Sequence, residues 1–390
     1  MSDTEPGAGL YSMNEWGRLR CVVLGTVDRF AHGLSFDRRA GEAEIAEAQS
    51  IAREAYPASY LDEVAEDLEG FRAALEAEGV RALRPSWQED SVSFTTPNFS
   101  ASGFDLYNVR DQQLVVGDTY ISSPPTQRFR YFENQGLQEL LYQHYFEQGF
   151  RWICAPMPKL RGTYLREVHR PRTPLEERED ESQLALGKKA SPRIRRLAED
   201  EILFDAANVC RLGRDLLYLV SKSGNRKGGQ WLQSVLGPEF RVHYTEAYRS
   251  SHLDSTVVPL RDGLVLLNGL RISRETCPEV LAGWEQIYFA ETEPIPAAEI
   301  EFHERVRVPV ANRLKAMGVE TPLGQLTSPW IGLNLLVIRP GLVMVTNPQP
   351  ALERALARHG IEAIPLRMRH AFSMQGGLHC TTLDLERDPD

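Results

Sequence analysis

A short strand-like run that follows a helix-like stretch recurs along the chain, and this repetition limits the possible folds more than any other feature. Each run alternates apolar and polar residues or is rich in β-branched and aromatic residues, as half-buried strands are. The runs are residues 79–83, 150–154, 240–244, 284–288 and 360–364. Helical periodicity occurs in residues 60–79, 131–148, 229–236 and 352–359.

A second set of apolar runs is typical of hairpins or buried strands. These runs are residues 21–25, 113–123, 215–221, 263–268 and 335–346. Together the two sets predict about five ββαβ-like units, and such recurring units favour a radial or solenoidal arrangement. An ordinary α/β domain is the alternative, because buried strands look alike in any sheet.

Composition excludes several classes of protein. The 390 residues have a formal net charge of −10, which disfavours nucleic-acid binding because that requires a basic field. No apolar stretch is long enough for a membrane span. The first residues, Met1 to Glu5, are polar and acidic without a signal-peptide pattern, so we expect a cytoplasmic protein.

The cysteines are odd in number and scattered, and none forms a CxxC pair, which argues against a disulfide framework or a zinc cluster. They are Cys21, Cys154, Cys210, Cys277 and Cys380. We therefore expect free thiols.

Residues 170–201 break the repeated pattern, because charged side chains dominate this segment. Such a segment is typical of a solvated surface excursion. A lid over a site is the alternative, since long charged insertions near active sites often act that way.

One cysteine, Cys380, stands in a context that favours chemistry. Gly376 and Gly377 precede the His379-Cys380 pair and let the backbone bend and approach other groups. A cysteine with a distant histidine such as His252 is a candidate nucleophile with its base. A thiol that serves only as a small buried apolar group is the alternative.

Three carboxylates differ in context from plain surface residues. Asp111 precedes an apolar strand, and Asp205 follows an apolar run. Asp254 lies two residues after His252, so both point to one side of an extended segment. Carboxylates around a thiol predict a cationic substrate, because a planar guanidinium takes paired hydrogen bonds from two carboxylates. His252 would move protons near neutral pH, unless it is a strand histidine capped by Ser251 or its neighbour.

The glycine-rich residues 224–229 open a helix and predict an anion at its N-terminus. They lack a Walker lysine and a GxGxxG pattern, which argues against nucleotide binding.

With these residues in hand, the chain closely resembles the amidinotransferases, the family of glycine amidinotransferase and inosamine-phosphate amidinotransferase. The resemblance spans almost the whole length. Its landmarks are Asn14-Glu15-Trp16, Val109-Arg110-Asp111, Arg128 to Glu133, Phe204-Asp205-Ala206-Ala207, Gly213-Arg214-Asp215, Ser251 to Thr256, Trp330 to Asn334 and Gly376 to Cys380.

The resemblance implies a fold and a set of roles. The fold would be a single-domain α/β propeller over residues 1–390, the pentein type, with five ββαβ modules in pseudo-five-fold order. Cys380 would be the nucleophile, His252 the general acid and base, and Asp205 the carboxylate that orients His252. Asp111 and Asp254 would hold the donor guanidinium.

The resemblance also implies the substrates. Arg271 and Ser328 fall where the family binds the α-carboxylate of the donor, which indicates L-arginine. No metal or organic cofactor would be needed, and a homodimer is expected. Asn208 stands where some members carry an acid. The small Ser251, beside Ser250, would leave room for an amine acceptor larger than glycine, as in antibiotic or toxin biosynthesis.

Three other functions remain open at this level. Glycine as acceptor would make the protein a glycine amidinotransferase that forms guanidinoacetate. Water in place of the acceptor would make it an amidine hydrolase related to arginine deiminase. A binding protein that senses arginine without turnover is the third alternative.

Overall fold

The computed structural model describes residues 9–86, 93–162, 164–168, 194–248, 251–291 and 293–389. The strands in these ranges are β1 Leu19–Leu24, β2 Thr26–Phe36, β3 Arg81–Leu83, β4 Ser93–Thr95, β5 Ser100–Leu106, β6 Gln113–Val116, β7 Thr119–Ser122, β8 Arg151–Cys154, β9 Leu165–Val168, β10 Ile194–Leu197, β11 Val209–Leu212, β12 Asp215–Leu219, β13 Arg241–Thr245, β14 Val257–Arg261, β15 Leu264–Asn268, β16 Glu285–Phe289, β17 Val319–Glu320, β18 Leu336–Arg339, β19 Leu342–Thr346, β20 Glu362–Leu366 and β21 Thr382–Arg387.

The α-helices in the same ranges are α1 Glu42–Arg53, α2 Ala58–Ala77, α3 Gln138–Gln148, α4 Arg226–Leu236, α5 Ala297–Phe302, α6 Val308–Ala316 and α7 Pro350–Ala357. A π-helical turn, His303–Arg307, joins α5 to α6. Across the described ranges, no helix combines the length and apolar character needed to cross a membrane.

Among the described residues, five three-stranded sheets share one topology. In each sheet the first strand pairs antiparallel with the second, and the second pairs parallel with the third. The sheets are β21-β1-β3, β6-β7-β8, β11-β12-β13, β14-β15-β16 and β18-β19-β20. Their number agrees with the predicted five units. The first sheet joins the two ends of the chain, because β21 supplies the strand that precedes β1 in the repeat.

Parallel pairing of the second and third strands needs a crossover connection, which an α-helix usually provides. The helices α2, α3, α4 and α7 precede the third strands of four sheets. In the sheet of β14 to β16 the crossover contains only a 3-10 turn, Glu279–Leu281. Glycine supports the tight connections: Gly341 closes the β18–β19 turn at φ 89°, and Gly360 follows α7 at φ 72°.

The repeated strands and helices were predicted to within a few residues, and the departures are informative. The helix expected over 131–148 begins only at Gln138, because Arg128–Arg130 and Glu133–Leu137 form 3-10 turns that carry charged side chains into the interior. The four-stranded sheet β17-β2-β5-β4 was not predicted.

The charged segment 170–201 divides into two parts. Its end is ordered, since β10 pairs antiparallel with β9 and Leu197 is buried. Residues 169–193 lie outside the described residues, so the choice between a lid and a surface excursion stays a prediction.

The expected anion at the start of α4 is a side chain of the protein itself. Glu199 accepts hydrogen bonds from the backbone N–H groups of Arg226 (3.0 Å) and Lys227 (3.2 Å). Asn225 caps the same helix by accepting from Gly228 N at 2.8 Å. The prediction of a ligand anion here is therefore wrong, because Glu199 already occupies the favourable position at the positive end of the helix.

Candidate active site

The candidate site is assembled from the loops that lead into the first strands of the five repeated sheets. Each of these loops places one polar side chain a few residues before its strand. The residues are Cys380 before β21, Asp111 before β6, Asp205 before β11, Asp254 before β14 and Asn334 before β18. Five side chains that are far apart in the sequence therefore lie on neighbouring loops.

Backbone hydrogen bonds join these loops in sequence. Each bond runs from an N–H of one loop to a carbonyl of the loop before it in the repeat, so the positions of the side chains depend on each other. The bonds are Arg110 N to Cys380 O (3.3 Å), Ala206 N to Asp111 O (2.5 Å), Leu253 N to Ala207 O (3.0 Å) and His379 N to Asn334 O (3.3 Å).

Cys380 is buried and held by two neighbouring loops. Its Sγ–H donates to Asp254 Oδ2 at 3.2 Å, and its backbone N–H donates to Asn334 Oδ1 at 2.9 Å. The glycines before it are required for close packing. A Cβ on Gly376 would collide with Asn108, and one on Gly377 would lie 2.9 Å from Asn334.

The surroundings of Cys380 keep its sulfur protonated. Burial raises the pKa of the thiol well above its ordinary value, and the negative charges of Asp254 and Asp111 raise it further. A thiol in this environment is a poor nucleophile until a positive charge compensates the two carboxylates.

His252 lies between two carboxylates. Its Nε2 is 3.0 Å from Asp205 Oδ2, and its Nδ1 is 3.6 Å from Asp111 Oδ1. Burial by itself would lower the pKa of His252. The charge of Asp111, the hydrogen bond and charge of Asp205 and the charge of Asp254 outweigh burial and raise this pKa to about 9. The imidazole is therefore charged at neutral pH.

The raised pKa of His252 links the site to stability. The pKa is higher in the folded than in the unfolded chain, so protonated His252 stabilises the fold fully below about pH 6.5. That contribution is lost as the pH rises through about 9.

Asp205 is itself fixed from both sides. Thr126 Oγ1 donates to its Oδ1 at 2.7 Å, while Oδ2 faces His252. The Asp205 side chain is almost completely buried. A carboxylate held in this way has a fixed position from which to orient the imidazole, and its role in a reaction stays a prediction.

Asp254 stays ionised although it is buried. Burial favours its neutral form, but the hydrogen bond and charge of His379, the charge of His252 and the hydrogen bond from Cys380 hold the pKa of Asp254 well below its usual range. His379 Nδ1 lies 3.2 Å from Asp254 Oδ2.

The two carboxylate oxygens of Asp111 have different surroundings: Oδ1 faces His252, and Oδ2 accepts a hydrogen bond from an arginine. Arg130 Nη1 donates to Asp111 Oδ2. Asp111 Oδ1 is buried and has no hydrogen-bond partner within the described part of the chain. A buried carboxylate oxygen of this kind is stabilised by a donor group on a bound cation.

Arg271 and Ser328 lie together, and their predicted binding of a donor carboxylate stays a prediction. Arg271 Nη2 is 3.4 Å from Ser328 Oγ, and its Nη1 donates to Thr256 Oγ1 at 2.9 Å. Arg271 Nη1 is also 3.3 Å from the hydroxyl of Ser255, the residue after Asp254. Arg271 therefore adjoins the carboxylate cluster through Ser255.

Ser251 is half-buried, and the structure describes contacts of its backbone. Its carbonyl accepts hydrogen bonds from Ser223 Oγ and from Ser221 Oγ (2.9 Å). Asn208 holds the same turn, because its Nδ2 donates to Ser221 Oγ at 2.9 Å and its Oδ1 accepts from Ser223 Oγ at 2.8 Å. The side-chain amide of Asn208 thus holds the turn in place.

Curated proteins are similar to this chain in sequence over almost its whole length. No family model matches it. Inosamine-phosphate amidinotransferase 1 of Streptomyces griseus is 37% identical over 383 residues, which are 96% of this chain and 96% of that protein. The L-arginine:L-lysine amidinotransferase of Pseudomonas savastanoi pv. phaseolicola is 30% identical over 383 residues, with coverage of 96% and 94%.

The chain belongs to the amidinotransferase family. The resemblance drawn from its motifs is thereby confirmed.

Solved amidinotransferase structures agree with the fold. The structure of inosamine-phosphate amidinotransferase from Streptomyces griseus has a TM-score of 0.75 and 34% identity, and covers 98% of this chain and 97% of that one. SxtG, an amidinotransferase from Microseira wollei in the saxitoxin biosynthetic pathway, has a TM-score of 0.75 and 26% identity, with coverage of 98% of both chains. The protein is therefore a mixed α/β amidinotransferase with a single-domain fold.

Sequence reasoning missed several residues that support the site of this amidinotransferase. Glu15 receives a paired hydrogen bond from the fully buried Arg211, at 2.9 and 2.6 Å, and its Oε2 lies 3.5 Å from His379 Nε2. Arg110 donates to the same carboxylate at 2.8 Å. Glu15 and Arg110 stood in the sequence motifs, but nothing in the sequence indicated that they pair across the fold behind His379.

Arg130 is the clearest missed positioning residue. Its Nε donates to Glu133 Oε2 at 2.6 Å, its Nη2 donates to Asn108 O at 3.1 Å, and its Nη1 holds Asp111. The planar guanidinium donates hydrogen bonds to three different groups at once, and a lysine ammonium does not reproduce this geometry.

We expect Arg130→Lys to lower kcat/KM for the donor by about 10²-fold, because a misplaced Asp111 misaligns the bound guanidinium. Steady-state kinetics against donor concentration provide the measurement. The matched control is Arg38→Lys, since the Arg38–Glu44 pair is exposed and such pairs contribute little. Equal kinetics for Arg130→Lys and wild type would remove Arg130 from this role.

Proposed function

We propose that this protein transfers an amidino group from L-arginine to a primary amine through a covalent intermediate on Cys380, with release of L-ornithine. One observation carries the proposal: the negative charges of Asp111 and Asp254 raise both the pKa of the Cys380 thiol and the pKa of the His252 imidazole. A guanidinium between those carboxylates would lie against both the nucleophile and the proton donor.

The first half of the reaction begins with binding of the donor. Its guanidinium compensates the charges of Asp111 and Asp254, which raise the pKa of Cys380, and the thiol then releases its proton to solvent. The thiolate attacks the central guanidinium carbon. The bond from this carbon to the side-chain nitrogen of arginine breaks, and charged His252 gives that nitrogen its proton, so that ornithine leaves as the amine.

The second half reverses the proton transfer. The acceptor amine attacks the amidino carbon on Cys380, and His252, now neutral, takes a proton from the attacking nitrogen. The carbon–sulfur bond breaks and regenerates the thiolate. Asp205 keeps the imidazole oriented through both transfers, since its Oδ2 stays 3.0 Å from Nε2.

The choice of L-arginine as donor has separate support. Arg271 and the hydroxyl of Ser328 form a cationic and polar pair that suits a carboxylate, and they adjoin Asp254 through Ser255. A relative that is 30% identical carries L-arginine in its name. Arginine is the amino acid that has a carboxylate at one end and a guanidinium at the other.

The central experiment is incubation with L-arginine alone, followed by intact mass measurement. We expect wild type to gain the mass of one amidino group and to lose it when an amine is added, with ornithine formed in the first step. Absence of the adduct, under conditions where turnover with an acceptor is seen, would contradict the covalent route. Citrulline as the main product would identify a hydrolase instead, and arginine binding without any product would indicate a sensor.

For the acceptor, we infer an amine of specialised metabolism that is larger than glycine. Small Ser251 before His252 supports this inference, as do relatives named for inosamine phosphate and for saxitoxin biosynthesis. A screen of amines with arginine as donor, read as ornithine release, tests it. We expect amino sugars or aminocyclitols to exceed glycine; glycine as the best acceptor would overturn the inference and favour guanidinoacetate synthesis.

We also infer that the five repeated sheets form a pentein-type propeller around the site. Support comes from the loops before their first strands, which supply Cys380, Asp111, Asp205 and Asp254 and are joined by backbone hydrogen bonds. A crystal structure with five sheets in a closed ring is the expected result, and an open row of sheets would contradict it.

A further inference from the structure

A second cavity, distinct from the candidate active site, lies where the start of α2 meets α5. We call it the α2–α5 cleft. It has a volume of about 720 Å³, within the usual range for small-molecule sites. None of the eight residues predicted to act or bind at the active site lines it. Its other walls come from residues 329–332, 346–349 and 369–372.

Aromatic rings form one side of the cleft. Phe302 stacks on Tyr60 with ring centroids 5.4 Å apart, and His370 lies on Tyr60 with a centroid distance of 4.0 Å. Phe372 also lines the cavity. The π-helical turn His303–Arg307 follows Phe302 directly, and such turns are frequent at functional sites. Tyr60 and Phe372 are largely buried, so Phe302 is the most accessible of these rings. Aromatic rings that line a cavity favour flat or cationic ligands.

A buried carboxylate lines the same cleft. Glu299 is 5% exposed, and its Oε1 pairs with His370 Nδ1 at 2.7 Å. Its Oε2 is buried and finds no hydrogen-bond partner among the described residues. A buried acceptor in this state costs free energy, which a donor group on a ligand would recover.

The basic groups of the cleft are already paired. Arg369 donates from Nε to Asp67 Oδ1 at 3.0 Å, and its Nη2 donates to Glu66. His370 Nε2 pairs with Glu63 at 2.7 Å while Nδ1 faces Glu299. The cleft therefore retains acceptor capacity at Glu299, whereas its cations are committed to carboxylates. The binding of an anion in the cleft is therefore disfavoured.

We propose that the α2–α5 cleft is a second ligand site, and that it binds a small organic cation with a flat or ring-containing body. The N–H group of the cation donates to Glu299 Oε2, and the body lies against the rings of Tyr60, Phe302 and Phe372. The ligand makes no covalent bond there.

The cleft shares a wall with the loop that carries Cys380. Thr346 lines the cleft, and its Oγ1 accepts from Leu378 N at 3.3 Å. Gly332 also lines it, two residues before Asn334, whose Oδ1 accepts from Cys380 N. A ligand in the cleft therefore changes turnover without competing with the donor. This consequence rests on the proposed function, whereas binding does not.

The test is calorimetric titration of the full chain with benzylammonium, and with benzyl alcohol as the neutral analogue of the same shape. We expect saturable binding of benzylammonium and at least about tenfold weaker binding of benzyl alcohol, because the alcohol lacks the positive charge that strengthens a hydrogen bond to a carboxylate. Glu299→Gln should weaken benzylammonium by a similar factor. The matched control is Glu301→Gln, since Glu301 is exposed on the same helix and pairs with Arg305.

The outcomes separate the cleft from the active site. Binding should persist in Asp254→Asn, and inhibition or activation by benzylammonium should be non-competitive with arginine. No saturable binding at millimolar concentration, equal binding of benzyl alcohol to wild type, or loss of binding in Asp254→Asn would each overturn the proposal. The comparison of the two probes on wild type keeps the test valid even if Glu299→Gln does not fold. If binding behaves as expected but arginine gives no ornithine, only the proposed function fails.

Discussion

Cys380→Ser is expected to abolish amidino transfer, with kcat lowered by roughly 10⁴-fold or more, as is typical when a covalent nucleophile is removed. Serine keeps the shape of the side chain and the backbone hydrogen bond to Asn334, so the fold should be preserved. The hydroxyl is a far weaker acid than a thiol and is not ionised by a bound cation. Ornithine release with a saturating acceptor measures the effect.

The matched control for this substitution is Cys154→Ser. Cys154 is an exposed free thiol in β8, and we expect full transfer without it. Incubation of Cys380→Ser with arginine alone should leave the protein mass unchanged, while Cys154→Ser still gains one amidino group. Substantial transfer by Cys380→Ser, or an adduct on that variant, would place the nucleophile elsewhere.

Asp254→Asn is expected to lower the rate of amidino transfer and to raise the reactivity of the Cys380 thiol. Loss of the carboxylate should lower transfer by about 10²-fold or more, because the donor guanidinium loses a charged hydrogen-bond partner. The same change should make Cys380 more reactive toward iodoacetamide at neutral pH in the absence of donor. The charge of Asp254 raises the pKa of this thiol, and the amide removes that charge while burial is kept.

Each unit by which the pKa of Cys380 falls increases the thiolate fraction about tenfold, so alkylation should accelerate by roughly that factor or more. The measurement belongs in a Cys154→Ser background, because the exposed thiol of Cys154 would otherwise react first. Asp215→Asn is the matched control, since Asp215 is a partly exposed carboxylate that pairs with His243 instead. Alkylation no faster in Asp254→Asn than in wild type would show that Asp254 does not govern the thiol.

The pH dependence of alkylation follows from the same charges. In the free wild-type enzyme, alkylation of Cys380 should stay slow at neutral pH and increase only at alkaline pH, because burial and two carboxylates favour the neutral thiol. A bound cation that fills the space between Asp111 and Asp254 should shift the profile of Cys380 toward lower pH.

Much of the repeated architecture could be predicted because it is local. The third strand of each sheet is a short apolar run after a helix or turn, and residues 240–244 differ from β13 by a single position at each end. The sheet around β2 and β5 was missed because its register is irregular, with shifts near Ala31 that disturb the alternation on which strand prediction depends. The start of α3 was misplaced because 3-10 turns there place Arg130 and Glu133 inside the protein.

The sequence by itself determined the chemical types at the site: a thiol after two glycines, a histidine with a carboxylate two residues away, and two further carboxylates at loop positions. Only the tertiary structure decided how they act on one another. Cys380 and Asp254 are far apart in the chain, and pairing of β21 with β1 at the two ends of the chain brings the Cys380 loop against its neighbours. The physical reason is that charge interactions depend on distance and burial, which the order of residues does not contain. The same reason explains why Arg130, Glu15 and Glu299 acquired significance only in the folded chain.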